Sequence, residues 1–340
     1  MTTISATSIL ASVGKLTGDR VDTLLLRYPR WIHAEGRTHR LMSLGEDFEI
    51  SVPTPSLMED PNLSRNASSS RAIPVARLIQ DVLDDPAIPL FWGKNQKGMQ
   101  AGEETSALIS VPTFTGGCED LSNRDAWLRA RDFAVKMAQA FAEAGYHKQL
   151  VNRLLEPFSH ITVVATATNW SNFLHLRDHK DAEPHIAILA QEIRKALQGA
   201  TTQVLYPGDW HLPFIKPGEA RDLRLQIADM GHMHSDLDQI LHQWLLKLSV
   251  ARCASTSYDT VDGFAMTIDR AVELHDKLVG MDPLHASPCE HQCTPDHLDT
   301  GAGVPLGLPE YRPGGYRHPE KHGNLKGFIQ YRKTLSGECR

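Results

Sequence analysis

The stretch I-T-V-V-A-T-A (Ile161–Ala167), followed at once by T-N-W-S-N-F-L-H-L-R (Thr168–Arg177), sets the architecture to expect from this chain. The first seven residues are short and β-branched, which suits a pleated surface, so they read as one strand. The next ten turn helical, with Thr168 or Ser171 offering a hydroxyl to the first exposed amides. Downstream, Asp181 is placed to cap a helix whose Ile186, Leu189, Ala190, Ile193 and Leu197 share one face, and Gly199 stops it. Thr201 to Tyr206 reads as a further strand. Upstream, Ser122 to Gly145 has a capping serine and apolar residues at spacings of three and four. A second helix is expected from His147 to Glu156, ended by Pro157.

Further from that centre the pattern thins. Thr23 to Ala34 reads as one or two strands, Ile73 to Val82 as a short helix, and residues 1–20 as an entry arm with little pattern. Residues 41–63 hold Pro53, Pro55 and Pro61 and read as a long loop with one short strand over 47–52. Ser235 to Val250 and Thr267 to Val279 are amphipathic helices. The tail from Met281 is rich in Pro, Gly and His. Helices outnumber strands and no βαβ alternation appears, which excludes a doubly wound parallel sheet. Neither dinucleotide nor P-loop glycine motif is present, so any nucleotide is held by other means.

Composition limits the partners. Lys+Arg 35 against Asp+Glu 41 gives a net charge of −6, which argues against a nucleic-acid coat or a binder of anionic membranes. No apolar run reaches the roughly 18 residues of a membrane span, and no basic start precedes the apolar residues at the N-terminus; a cytoplasmic protein is expected. Five scattered cysteines do not form a disulfide framework.

Two clusters carry chemistry. The first runs H-A-E-G-R-T-H-R-L-M-S from His33, then, after the loop, S-R-N-A-S-S-S-R-A-I-P ending at Pro74. Arg37, His39, Arg40, Arg65 and Arg71 among hydroxyls suit a phosphate or carboxylate, because guanidinium grips oxyanions with two parallel N–H donors. An Arg-rich solvated loop is the plain alternative. The second cluster is N-R-L-L-E-P-F (152–158) with N-W-S-N-F-L-H-L-R (169–177). Asn172 and Leu176 stand four apart on one helical face, with Arg177 beside them. An amide there matches a ring carbonyl and N–H, and the arginine can donate to a ring oxygen that gains negative charge.

Taken together, these motifs resemble the flavin-dependent thymidylate synthases, in particular the branch common in phages. The likeness rests on the R-H-R-x-x-S-like segment, the Ser-x-Arg element, N-R-L-L-E-P-F, N-F-L-H-L-R and D-A-E-P-H-I-A-I-L-A-Q-E-I, in that order over residues 22–200. It implies an α+β fold: a mixed or antiparallel sheet flanked by helices. The catalytic domain would span 1–260 with an insertion at about 41–63, and 261–340 would be a helix and tail packed on it. It implies reductive methylation of dUMP to dTMP, with methylenetetrahydrofolate as carbon donor and FAD, reduced by NADPH, as hydride source. Arg177 is the implied catalytic residue. Flavin contacts fall on His39, Arg40, Ser64, Asn66, Asn172 and Leu176. Substrate contacts fall on Glu35, Arg37, Ser69, Ser70, Arg71, Arg153 and Arg177. A homotetramer assembling each site from several subunits is implied as well, in the host cytoplasm for a phage-encoded copy.

The chain departs from the pattern in several places. Thr38 stands where the first Arg of R-H-R is usual, either Ser43 or Ser64 fills the motif serine, Ala67 replaces an acidic residue, and Thr166 and Thr168 replace an Asn and an Arg. The neighbouring alternatives are dCMP methylation, hydroxymethylation of dUMP or dCMP, and a non-catalytic nucleotide-binding paralogue. A metal site at His232, His234 and Asp236, or at Cys289, His291, Cys293 and His297, competes weakly; no metal is expected.

Overall fold

A computed structural model of the chain describes residues 3–33, 63–67, 70, 73–98, 100, 102–113, 116–230, 236–258, 266–282, 284–298 and 315–338. Its centre is a five-stranded mixed sheet. In chain order its strands are β1 (Ser5–Gly14), β2 (Arg20–Pro29), β3 (Leu63–Ala67), β6 (His160–Ala167) and β7 (Thr202–Leu205), and a hairpin of β4 (Ile109–Pro112) and β5 (Cys118–Leu121) stands apart. Across the sheet the order is β3-β6-β2-β1-β7, antiparallel except for the parallel pair β1–β7. This is an α+β arrangement with a mixed sheet flanked by helices, and the run at 161–167 is one of its inner strands.

The helices are α1 (Val75–Asp84), α2 (Asn123–Glu143), the single turn α3 (Lys148–Val151), α4 (Ser171–Arg177), α5 (Pro184–Gly199), α6 (Glu219–Asp229), α7 (Leu237–Tyr258) and α8 (Ile268–Gly280). Alternation along the strands sorts the two sheet faces. Leu24, Leu26 and Tyr28 of β2 and Ile161, Val163, Ala165 and Ala167 of β6 point to one face. There they meet Leu174 of α4 and Ile186, Leu189, Ala190 and Ile193 of α5. Each of these large side chains removed from water contributes about 1.5–3 kcal/mol before entropy is counted. The other face is polar at its middle and is covered by α7 and the segment around Cys289–Pro295. Val21 on that face packs against Cys293, Leu325 and Phe328, so residues close to the C-terminus lie against the central sheet. A separate core joins α1, α2 and residues 151–158.

Four expectations need correction. Residues 5–14 are no arm: they form β1, paired on both edges, and this tertiary setting overrides a Ser/Ala/Thr-rich composition with little strand signal. The helix expected over 147–156 is one α-turn followed by 3₁₀ turns at Asn152–Leu154 and Glu156–Phe158, because Pro157 offers no N–H and crowds the residue before it. Neither Thr168 nor Ser171 caps α4. Instead Asn169 Oδ1 accepts the Ser171 N–H at 2.9 Å, a turn that Asn makes readily with the backbone two residues on. Finally Glu183, not Asp181, caps α5: its Oε2 accepts the Ile186 N–H at 2.9 Å, and Pro184 fills the first helical position.

Candidate functional site

Polar side chains gather before the start of β6 and on the helix that follows it. At its start, the N-R-L-L-E-P-F turns meet the segment that leads into α1. The Asn152 amide nitrogen donates to the Ser70 carbonyl at 2.6 Å and to the Ile73 carbonyl at 2.9 Å, and Asn152 is fully buried. Ser70, itself buried, donates its hydroxyl to Glu156 Oε1. Glu156 Oε2 lies 3.8 Å from the guanidinium of Arg153, which is 60 % exposed. The Arg30 Nε–H donates to Ser159 Oγ at 3.1 Å; burial pulls its pKa below the usual guanidinium value, with Glu156 partly compensating. Ser70 of the first sequence cluster and residues 152–156 of the second thus share one polar corner.

Beside that corner lies a second group. Arg27 Nη2 donates to Asp85 Oδ2 at 2.5 Å and to His160 Nδ1 at 3.1 Å. Asp85 follows the last residue of α1 and His160 opens β6. The imidazole is pushed down to about 4, first by burial and then by the Arg27 charge, so it is neutral at pH 7.

At the far end of β6, α4 carries Asn172, Leu176 and Arg177. Arg177 is the last helical residue and only 6 % exposed, whereas Leu176 is 40 % exposed. The Asn172 amide nitrogen and the Trp170 indole N–H are buried with no hydrogen-bond partner among the described residues. Asp178, which follows Arg177, lines a pocket together with Leu90 and Phe91.

Of the other expected site residues, Ser64 and Asn66 stand on edge strand β3, in backbone register with Thr166 and Val164. Glu35, Arg37, His39, Arg40, Ser43, Ser69 and Arg71 lie outside the described residues. Asn152, Glu156, Arg30, Arg27, Asp85 and His160 were not singled out from sequence. Asn152 and Glu156 sit inside a recognised motif. The other four carry no local pattern and depend on strand pairing to meet.

Between the two ends, hydrogen bonds cross the polar sheet face. Gln203 Nε2 donates to Ser12 Oγ (2.9 Å), which meets His211 Nδ1 (2.7 Å). His211 Nε2 meets Thr23 Oγ1 (2.8 Å), Thr23 meets Thr166 Oγ1 (2.6 Å), and Thr166 meets His291 Nδ1 (2.9 Å). Among the described residues no three His, Cys, Asp or Glu side chains are placed to hold a metal; His232 and His234 lie outside them. Cys253, Cys289 and Cys293 are buried free thiols. Burial drives their pKa values upward, that of Cys289 to about 12, so they are not thiolates at pH 7. No helix among the described residues is long and apolar enough to cross a membrane.

No family model matches the sequence, and no curated protein matches it. Among solved structures, a UMP/dUMP methylase PolB from Streptomyces cacaoi bound with 5-Br UMP is similar over 58 % of this chain and 89 % of that one, at 12 % identity and a TM-score of 0.39. The same methylase bound with 5-Br dUMP overlaps 58 % of this chain and 90 % of that one, at 12 % identity and 0.34. At these TM-scores the overlap is loose.

Proposed function

We propose that the chain is a pyrimidine-nucleotide methylase that converts dUMP to dTMP, taking the carbon from methylenetetrahydrofolate and the hydride from FAD reduced by NADPH. One observation carries most of this reading: Asn152 ties the backbone of the Ser70–Ile73 segment to the N-R-L-L-E-P-F turns. Those are the two segments that the sequence resemblance assigns to the nucleotide. Held this way, Ser70 and Arg153 offer a hydroxyl and a guanidinium for a phosphate, where arginine binds with two donors, and Arg71 is the further phosphate contact that the resemblance implies.

The α4 end suits a flavin. The buried Asn172 amide nitrogen is a donor without an acceptor among the described residues, as a site for a ring carbonyl oxygen requires, and Leu176 adds an apolar contact beside it. With His39, Arg40, Ser64 and Asn66 these are the residues that would hold FAD, and a reduced flavin bound there supplies the hydride.

The chain's own part in the chemistry is electrostatic. Arg177 offers only N–H donors and is largely removed from water, so it donates to the pyrimidine oxygen on which charge builds as the ring is made nucleophilic. A thiolate attack on the ring is not available from Cys253, Cys289 or Cys293. As the sequence resemblance implies, a complete site joins the Ser70 corner of one subunit to the Arg177 helix of another, in a homotetramer.

The test incubates purified protein with labelled dUMP, methylenetetrahydrofolate, FAD and NADPH, then identifies the product by mass, with UMP and dCMP in parallel. Formation of dTMP that stops when either the folate or FAD is omitted is expected. Turnover that continues without flavin, or no product from any of the three nucleotides, would refute the proposal.

A further inference from the structure

Helix α2 carries two apolar faces. Val135 and Ala138 are buried, and with Trp127, Ala134 and Phe141 they pack toward α1 and residues 151–158. At about 100° per residue, Ala126, Ala130, Phe133, Met137 and Ala140 fall within an arc of roughly 80°, turned about 150° away from Val135 and Ala138. Phe133 is 54 % exposed and Met137 38 %, with Ala130 and Ala140 exposed beside them. The gaps along this stripe are four, three, four and three, the spacing that keeps one helix seamed against another over several turns. An apolar stripe of this length on the outer side of a helix adds nothing to the core, so it points to a partner.

The order of residues along the stripe says which partner. It reads Ala126, Ala130, Phe133, Met137, Ala140 and, at the helix end, Ala144, a series symmetric in size about residue 135. Laid antiparallel on its own copy about a two-fold axis there, Phe133 of one copy meets Met137 of the other. Ala130 then meets Ala140, and Ala126 meets Ala144. A thioether against an aromatic ring is a favourable contact, and paired alanines let two helices approach closely. Charge agrees with this arrangement. Arg129, Asp132, Lys136 and Glu143 flank the stripe along one edge, whereas the opposite edge carries Asn123, Ala134 and Phe141. In an antiparallel pair like edges face each other, which sets Arg129 near Glu143 and Asp132 near Lys136 across the axis, each offset by about 3 Å along the helices. A parallel pair would set the charged edge against the uncharged one. Within one chain Arg129 meets Glu119 at 2.6 Å and Asp132 meets Arg131 at 2.8 Å, and both groups have further donor or acceptor positions for a second contact.

We propose that this face of α2 is a two-fold interface between copies of this chain, with the helices antiparallel and Phe133 and Met137 at its centre. A contact of this kind is self-complementary and closes on itself, so it yields a dimer, or one of the contacts within a larger closed assembly, and not a filament. It goes beyond the nucleotide reading and does not rest on it: that reading requires copies to associate and leaves open through which surface.

The experiment is sedimentation equilibrium of the whole chain over a concentration series, with circular dichroism to confirm that each variant is folded. Phe133→Lys combined with Met137→Lys is expected to weaken self-association about tenfold or more. Lys136→Glu, which sets carboxylates face to face across the axis, is expected to weaken it as well, and adding Asp132→Lys to restore it. A wild-type chain that stays monomeric overturns the proposal, whether another segment or another protein covers the stripe. So does association that the Phe133→Lys, Met137→Lys variant shifts by less than about threefold, or charge variants that fail to lose and then regain it. Product formation from labelled dUMP decides the nucleotide reading separately.

Discussion

His291 Nδ1 lies 2.9 Å from Thr166 Oγ1 on the inner strand β6, although 125 residues separate them in the chain. His211 makes the matching contact with Thr23 on β2, at 2.8 Å. The middle of the polar sheet face is therefore completed by two histidines from beyond β7, the last strand of the sheet in the chain, and both are fully buried.

Burial pushes the pKa values of His211 and His291 down to about 3. In the unfolded chain each titrates near the ordinary value of about 6.5, so between those limits the unfolded state binds more protons and stability falls as the pH is lowered. The stabilisation is complete above roughly pH 6.5 and is lost as pH drops toward 3. At about pH 5 each histidine accounts for a loss of about 2 kcal/mol. Urea denaturation at pH 7 and pH 5 is expected to show a clear drop, and a variant with both histidines replaced by neutral residues should show a much smaller one.

Thr23 bridges the two halves of the hydrogen-bonded row, touching His211 on one side and Thr166 on the other. Thr23→Val keeps the shape but removes the hydroxyl, stranding two buried polar groups. The expected cost is about 2–4 kcal/mol, against under about 1 kcal/mol for Thr23→Ser. Denaturation midpoints at neutral pH distinguish the two variants.

Asn152 supplies one nitrogen to two carbonyls, those of Ser70 and Ile73. Asn152→Ala leaves both carbonyls buried and unpaired, for an expected loss of about 2–4 kcal/mol. Because the same bonds shape the Ser70 corner, nucleotide affinity should fall as well, even at temperatures where the variant remains folded. Calorimetric titration with dUMP checks it; unchanged affinity would separate Asn152 from the site.

What was legible in the sequence had a local cause. The β-branched run at 161–167, the helix at 184–199 and the helix closed by Gly280 each carry their own periodicity and stop signals. Helix α8 even begins as expected, with Thr267 Oγ1 accepting the Arg270 N–H. By contrast, β1 is defined by neighbours on both edges rather than by its composition. The cap of α5 turned on Pro184, which set where the helix starts. At the site, the Ser70 and N-R-L-L-E-P-F motifs could be named from sequence, but not the amide that joins them. His160, Arg27 and Asp85 meet only through strand register, which no single stretch reveals.

In the proposed function, Ser70 and Arg153 of one subunit and Arg177 of another serve the same site. Subunit complementation tests this directly. Arg177→Ala and Arg153→Ala are each prepared as inactive proteins, then mixed, dissociated and reassembled together. Recovery of dUMP methylation in the mixed assembly, with none in either variant treated alone, is the predicted result. A monomeric wild-type protein that is fully active, or a mixed assembly as inactive as its parents, would contradict it.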